Sequence, residues 1–293
     1  CALPIYVINL GAGNDTVKVD QIALDGGTTI AGGTGTDTIE IELDTGNAAV
    51  TMAATVTGFE TIQFAAAGIT DDYNLVSVDT NVAAGASLAV NGSNLTGTLL
   101  FNGSAETNGT FALDGGTGAD TLTGGAKADT IDGGAGADSI TGGLLADTLT
   151  GDIGADIFAF GAVAQSNSSN TDSITDFVSG TDKLNITLDY TGIDSGLTVD
   201  ATVQTARAGT TLIQENLSGA RGQTTYDTDG SALYVNVNAD NLLTTADYKI
   251  AINPAATATG TIAEGDVNFV ITGGAGADTI TAGGGADSIT AGA

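Results

Sequence analysis

Histidine and tryptophan are absent from the 293-residue sequence, and there is a single cysteine. Without histidine, the chain lacks the usual general base, the usual zinc ligand and every HExxH-type metalloprotease motif. It also has no Gly-x-Ser-x-Gly nucleophile elbow and no phosphate-cradling loop. One cysteine cannot form an internal disulfide bond. The numerous carboxylates are expected to be solvated or cation-bound, so the sequence predicts that the chain is not an enzyme.

Basic residues are also scarce, since 6 Lys and Arg stand against 35 Asp and Glu, for a net charge of −29. Such a chain repels nucleic-acid phosphates and attracts cations, so no nucleic-acid partner is expected. No run of 18 apolar residues occurs, and no transmembrane segment is predicted. There are 2 prolines but 44 glycines, which indicates glycine turns rather than a Pro/Gly-rich linker.

A nine-residue period runs without a gap from 115 to 159. Its copies read GGTGADTLT, GGAKADTID, GGAGADSIT, GGLLADTLT and GDIGADIFA. The sixth position of each copy is an aspartate: Asp120, Asp129, Asp138, Asp147 and Asp156. Further copies hold Asp278 and Asp287 near the end of the sequence, and isolated copies hold Asp15 and Asp37 near its start. Such a period predicts a solenoid built of stacked coils, in preference to ordinary Gly-Asp turns that join antiparallel strands.

The repeat has the composition of a calcium-binding turn. Glycines adopt positive φ angles that cost other residues ~1–2 kcal/mol, so the turn can direct carbonyl oxygens inward. Aspartate adds a carboxylate, and Ca²⁺ prefers six to eight oxygen ligands of these kinds. The last three residues of each copy predict a short strand with one apolar side chain in the core. These core residues are Leu122, Ile131, Ile140, Leu149 and Phe158.

The segments between the repeats alternate apolar and polar residues, which is the period of a strand. Examples are Ile39 and Ile41, the segment 56–64, and Leu233 with Val235. The sequence therefore predicts an all-β fold, with a helix or turn only at 240–249. The aromatic residues Phe59 and Phe64 are expected in the core.

The uninterrupted repeats resemble the RTX (repeats-in-toxin) family of calcium-binding proteins. The resemblance implies a parallel β-roll in which two nonapeptides form one coil and calcium lies between each turn and the turn two nonapeptides later. It thus implies three sites, at Asp120 with Asp138, Asp129 with Asp147, and Asp138 with Asp156. The resemblance also implies four carbonyl donors for each site. For Asp120 with Asp138 they are Gly115, Thr117, Gly134 and Gly136, and for Asp129 with Asp147 they are Gly124, Ala126, Gly143 and Leu145. For Asp138 with Asp156 they are Gly133, Ala135, Asp152 and Gly154.

Two copies depart from the family pattern, because their fourth position holds Lys127 or Leu145 instead of glycine. Both belong to the Asp129 and Asp147 side, where we expect a weaker or strained site. For the isolated copies at Asp15 and Asp37, two interpretations stay open: a metal site, or a purely structural Gly-Asp turn.

The flanking segments carry further resemblances. The segment 172–185 resembles the one that follows the repeats in serralysin-type proteases, and 233–240 with 246–252 is similar to that family's closing hairpin. Within the first 114 residues, GTDTIEIELD and the segment 56–64 resemble segments of RTX-type bacterial surface-layer proteins. We therefore expect a solenoid-like segment at 1–114, a β-roll at 115–159, a β-rich cap at 160–270 and the start of a further roll at 271–293.

Three functions agree with these features. The first is a calcium-binding structural subunit that assembles with copies of itself into a bacterial surface layer or matrix. The second is a calcium-binding segment of a large adhesin, and the third is the export module of an enzyme that leaves the cell by type I secretion. Each predicts a secreted or cell-surface protein. Repeats near the front, middle and end of the sequence favour the first.

Overall fold

We describe a computed structural model of the chain. It describes residues 7–25, 27–42, 49–65, 72–189, 198–200, 203–205, 224–227, 232–235, 248–252, 264–272, 279–281 and 284–290. The chain divides into two compact units, Cys1–Gly154 and Ala155–Ala293. The described residues form strands, turns and two short 3₁₀ helices, Gln21–Leu24 and Glu264–Asp266, so the all-β prediction is confirmed. No helix in these ranges is long and apolar enough to cross a membrane.

The first unit is a stack of coils whose strands pair in parallel. Its strands are β1 (Val7–Ala12), β2 (Thr16–Val19), β3 (Thr29–Thr34), β4 (Thr38–Ile41), β5 (Val50–Thr51), β6 (Val56–Thr57), β7 (Thr61–Phe64), β8 (Tyr73–Val76), β9 (Ser87–Asn91), β10 (Leu99–Asn102), β11 (Thr110–Asp114), β12 (Thr121–Thr123), β13 (Thr130–Asp132), β14 (Ser139–Thr141) and β15 (Thr148–Thr150). One sheet has the order β2-β4-β7-β9-β11-β13-β15, and a second has β5-β8-β10-β12-β14. A short third sheet has the order β1-β3-β6.

Strand register measures the length of each coil. Thr121 pairs with Ser139, and Thr130 with Thr148, so each central coil advances by two nonapeptides. Near the start, Thr16 pairs with Thr38, which makes a longer coil. Every named strand pair in this unit is parallel, which excludes the antiparallel alternative for the central repeats.

The core of the first unit lies between its two long sheets. The apolar residue of each central repeat is fully buried while its threonine and serine neighbours are more exposed, so each strand places one side chain inside. The rings of Phe101 on β10 and Phe111 on β11 meet edge to face with centroids 5.2 Å apart. Phe59 and Phe64 are buried, as predicted. This continuous apolar stripe aligns the coils, and the turns at their ends stack as a consequence.

The second unit also consists of short strands. Its strands are β16 (Ile157–Phe160), β17 (Asp172–Ile174), β18 (Lys183–Asp189), β19 (Thr198–Asp200), β20 (Val203–Thr205), β21 (Thr224–Asp227), β22 (Ala232–Val235), β23 (Tyr248–Ile252), β24 (Val267–Thr272), β25 (Thr279–Thr281) and β26 (Ser288–Thr290). The parallel order β16-β18-β24-β26 forms one ladder. β19 pairs in parallel with β25.

A hairpin-like arrangement distinguishes the other sheet of the second unit. β23 pairs in parallel with β17 but antiparallel with β22, which pairs antiparallel with β21, and β21 pairs in parallel with β20. The described parts of the segments 233–240 and 246–252 pair antiparallel, with Leu233 opposite Ile250, and their role as a closing hairpin stays a prediction. Tyr248 and Lys249 belong to β23, so the helix or turn predicted for 240–249 is wrong at these two residues. Residues 240–247 lie outside the described ranges.

Candidate metal centre

The repeat aspartates are buried at the point where each turn leads into its strand. Asp120 and Asp138 are each 1% exposed. The backbone N–H of Asp120 donates to Oδ1 of Asp138 over 2.7 Å, and that of Asp129 donates to Oδ1 of Asp147 over 2.8 Å. One carboxylate oxygen of each aspartate thus ties its coil to the coil before it. The structure brings together the predicted pairs Asp120 with Asp138 and Asp129 with Asp147.

The second carboxylate oxygen is directed into the turn of its own repeat. A Cβ atom built on Gly115 would lie 2.4 Å from Oδ2 of Asp120, and one built on Gly133 would lie 2.5 Å from Oδ2 of Asp138. Oδ2 of Asp120 is buried and has no hydrogen-bond partner. A buried carboxylate oxygen without a donor is costly unless a cation compensates it, so this atom fits a metal ligand.

Backbone carbonyl groups of consecutive turns supply further oxygens. The turns stack so closely that a Cβ on Gly134 would lie 2.1 Å from the carbonyl oxygen of Gly116, and one on Gly136 would lie 1.7 Å from that of Gly118. In the neighbouring stack, a Cβ on Gly143 would lie 2.0 Å from the carbonyl oxygen of Gly125. Only glycine fits such an approach.

Hydrogen bonds between turns hold these carbonyl groups in place. The Ala135 N–H donates to the Gly116 carbonyl over 2.8 Å, and the Ile153 N–H donates to the Gly134 carbonyl over 3.0 Å. Each carbonyl oxygen has a second lone pair that is available to a cation. Of these carbonyl groups, Gly134 is a predicted donor, and the stacked turns offer the all-oxygen environment that Ca²⁺ prefers. The ligand roles of the other predicted carbonyl groups stay predictions.

The turn of the second repeat, 124–129, differs from the others. The second position has φ of +111° at Gly116, +88° at Gly134 and +117° at Gly143, whereas Gly125 has no positive φ. Instead, the Gly125 N–H donates to Oδ2 of Asp129 over 2.6 Å, while Oδ1 accepts the Phe111 N–H. The aspartate of this repeat thus has both oxygens engaged by backbone donors. Lys127, whose position departs from the pattern, lies in this turn.

Two residues of the roll adopt a left-handed conformation without being glycine. Leu145 has φ of +70° and Asp152 has φ of +61°, and within the described ranges these are the only such residues. A left-handed backbone costs a residue with a Cβ roughly 1–2 kcal/mol, so the turn geometry overrides the local preference. Leu145 belongs to the Asp147 side and Asp152 to the Asp156 side, so positive φ occurs on both sides of the roll, and a weaker or strained site on the Asp147 side stays a prediction.

Burial strongly disfavours ionised aspartates in the roll when no cation is present. It raises the pKa of Asp120 and of Asp147 to about 7, and the pKa of Asp129 to about 6. Burial also raises the pKa of Asp138. In the described ranges no three acidic, histidine or cysteine side chains cluster in one place.

The remaining predicted residues are placed as follows. Asp156 lies in the second unit, where its N–H donates to Oδ1 of Asp182 over 3.1 Å, and its pairing with Asp138 stays a prediction. Oδ1 of Asp287 accepts the Phe269 N–H over 2.9 Å, 18 residues apart. Asp278 lies outside the described residues. Thr117 donates its N–H to the Leu95 carbonyl, and Ala126 donates to that of Glu106.

Sequence reasoning missed two acids that occupy the same position in longer coils. Asp182 stands 26 residues after Asp156, and Oε2 of Glu60 accepts the Asp37 N–H over 2.7 Å, 23 residues away. Both end a Gly-x-acid triplet directly before a strand, at Gly180 and at Gly58. That triplet is the signal by which they could have been found.

Comparison with known proteins agrees with this geometry. Residues 114–149 and 270–293 match the family model of the RTX calcium-binding nonapeptide repeat (4 copies). No curated protein matches the chain. The chain therefore carries RTX nonapeptide repeats that form a parallel β-roll and bind Ca²⁺.

Proposed function

We propose that the chain is a structural protein of the bacterial cell exterior, which assembles with copies of itself into a surface layer or matrix when calcium binds. Calcium binding by the roll makes assembly depend on calcium, because burying the ionised carboxylate pairs is unfavourable until a cation neutralises them. The observation that supports assembly is an uncovered coil face in the second unit.

The uncovered face belongs to β26. Ile289 occupies the apolar position of its nonapeptide, where Leu122 and Ile140 of the central roll are fully buried, but Ile289 is 50% exposed. All three residues of β26 are exposed, and β26 is the last strand of its sheet among the described residues. Full burial of an isoleucine contributes about 1.5–3 kcal/mol, so covering this half-exposed side chain favours a stacked coil. Either further chain or a second copy could provide that coil.

Electrostatics makes stacking dependent on calcium. Two ions at the pairs Asp120–Asp138 and Asp129–Asp147 add +4 to −29 and leave −25. Copies of so acidic a chain repel one another until further cations screen or bridge their surfaces. Magnesium is expected to act weakly, because it requires compact octahedral coordination and releases its waters reluctantly.

The experiment titrates calcium into the full chain at constant ionic strength and follows light scattering and electron microscopy, with magnesium as the control ion. Wild type should form sheets or filaments at about 1 mM Ca²⁺, the affinity range of extracellular calcium modules. Ile289→Asp should remain dispersed while binding as much calcium as wild type. Val270→Asp is the matched control, because Val270 is 41% exposed on the neighbouring strand β24 and points away from the core. Assembly by both variants would refute the role of the β26 face.

A second candidate is a calcium-folded export module or adhesin segment of a larger type I secreted protein. The antiparallel pairing of β22 with β23 favours it, since this pairing interrupts a parallel ladder as a cap would. A monodisperse monomer of wild type at about 1 mM Ca²⁺ would exclude calcium-driven assembly and support this second candidate.

A further inference from the structure

The first coils of the chain contain a turn stack outside the matched repeats. Turn 10–15 and turn 32–37 end in Asp15 and Asp37, which are 22 residues apart, whereas Asp120 and Asp138 of the nonapeptide roll are 18 residues apart. The family match does not include these first turns. The sequence left a metal site and a structural turn open here, and the atomic arrangement distinguishes them.

The two turns stack as the central turns do. A Cβ on Gly33 would lie 1.9 Å from the carbonyl oxygen of Gly11, and one on Gly35 would lie 1.9 Å from that of Gly13. All four glycines have positive φ, from +97° at Gly11 to +139° at Gly35. The carbonyl oxygens of the first turn are therefore directed at the second, although the coil that connects them is longer.

The carboxylates also follow the central pattern. Asp37 is 0% exposed, and its Oδ1 accepts the Asp15 N–H over 2.8 Å, compared with 2.7 Å between Asp138 and Asp120. Oδ2 of Asp37 and Oδ2 of Asp15 are both buried and have no hydrogen-bond partner. A purely structural turn needs only Oδ1 of Asp37, and it would leave two buried carboxylate oxygens without compensation.

The side-chain oxygen of Asn14 and the carboxylate of Glu60 also lie next to these stacked turns. The Thr36 N–H donates to Oδ1 of Asn14 over 3.0 Å, which fixes the Asn14 side chain beside the stacked turns. On the far side of turn 32–37, the Asp37 N–H donates to Glu60. Lys18 is engaged on the strand that follows, where it bridges to Glu40 over 2.5 Å.

We propose that Asp15 and Asp37, with the carbonyl groups of Gly11 and Gly13, form a calcium site between these longer coils. Two carboxylates and backbone carbonyls are hard oxygen donors in a flexible glycine turn, which is the ligand chemistry of Ca²⁺ rather than of a softer metal. Calcium binding is thus independent of the nonapeptide period, because strand register stacks the turns whatever the length of the outer loop. A single chain contains all of these groups, so calcium can bind here without self-assembly.

The test counts calcium ions bound per chain by equilibrium dialysis with elemental analysis, on the full chain. Asp15→Asn is the main variant, because it removes a carboxylate while the residue 15 N–H can still donate to Asp37. We expect it to bind one calcium fewer than wild type. Asp20→Asn is the control with the same charge change, at an exposed residue outside the turns, and it should bind as many as wild type.

Asp37→Asn tests the other half of the pair and should also lose one calcium. Hydrogen exchange provides an independent measurement on unaltered protein and on an Asp138→Asn variant, in which the central site is weakened. Calcium should still slow exchange at the amides of 16–19 and 38–41 in that variant. Equal calcium counts for Asp15→Asn, Asp37→Asn and Asp20→Asn, or no calcium effect on those amides, would overturn the site.

Discussion

Replacement of Gly134 by alanine tests whether the tight stacking of turns holds the roll together. A Cβ at this position would lie 2.1 Å from the Gly116 carbonyl oxygen, whereas ordinary contact begins at 3.4 Å, so the coils must separate by about 1.3 Å. Such a shift stretches the 2.8 Å Ala135-to-Gly116 hydrogen bond beyond useful length, whereas the Ile153-to-Gly134 hydrogen bond lies on the opposite side of the turn and is retained.

The magnitude follows from these two effects. Alanine at φ of +88° costs roughly 1–2 kcal/mol. One weakened hydrogen bond costs roughly 0.5–1.5 kcal/mol, so Gly134→Ala should lower the free energy of unfolding by ~1.5–3.5 kcal/mol. Displacing the Gly134 carbonyl in this way also removes a predicted ligand, so the variant should bind one calcium fewer.

Two other glycines separate the conformational cost from the steric cost. Gly85 has φ of +76° but nothing within 4 Å of a built Cβ, so Gly85→Ala should cost only the backbone strain, about 1–2 kcal/mol. Gly27 has neither a positive φ nor a close neighbour, and Gly27→Ala should lie within roughly 0.5 kcal/mol of wild type. Urea unfolding in saturating calcium, followed by circular dichroism, measures all three. If Gly134→Ala were no less stable than Gly85→Ala, the close approach of the turns would not be a determinant of stability.

Two further predictions concern the carboxylates. Burial raises the pKa of Asp120 and Asp147 to about 7. Between about pH 4 and 7 the metal-free folded roll therefore binds more protons than the unfolded chain, and its free energy of unfolding falls as the pH rises through that window. In excess chelator, the protein should therefore unfold at a higher temperature at pH 5 than at pH 8, as followed by the β-sheet circular dichroism signal. Calcium should reverse this order. A chelated protein that is equally stable at both pH values would contradict the prediction. Asp138→Asn should reduce calcium binding in titration calorimetry more than Asp129→Asn, because the Gly125 N–H already engages Oδ2 of Asp129, and equal losses would show that this donor does not weaken the site.

Much of the roll was predictable from its period. A repeat of nine with one apolar side chain per copy predicts stacked short strands, and the resemblance to RTX repeats implies that each strand pairs with every second copy. Leu122 and Ile140 are fully buried on strands in that register. Glycine and aspartate at constant positions predict oxygen-rich turns, since their chemistry is local. The positions of Asp120 and Asp138 therefore followed from the sequence.

Only the tertiary structure decided features that depend on contacts between coils of unequal length. The register of Thr16 with Thr38 brings Asp37 to Asp15 across 22 residues, which no fixed period indicates. The Gly125 N–H reaches Asp129 because its turn adopts a conformation different from those of the neighbouring copies, although this turn begins with the same two glycines. A sequence period reports which residue types stand at each position of a turn, whereas the conformation of one turn depends on its contacts. The position of one turn over another is set by the packing of strands in the core, and this packing is independent of how long the outer loops are.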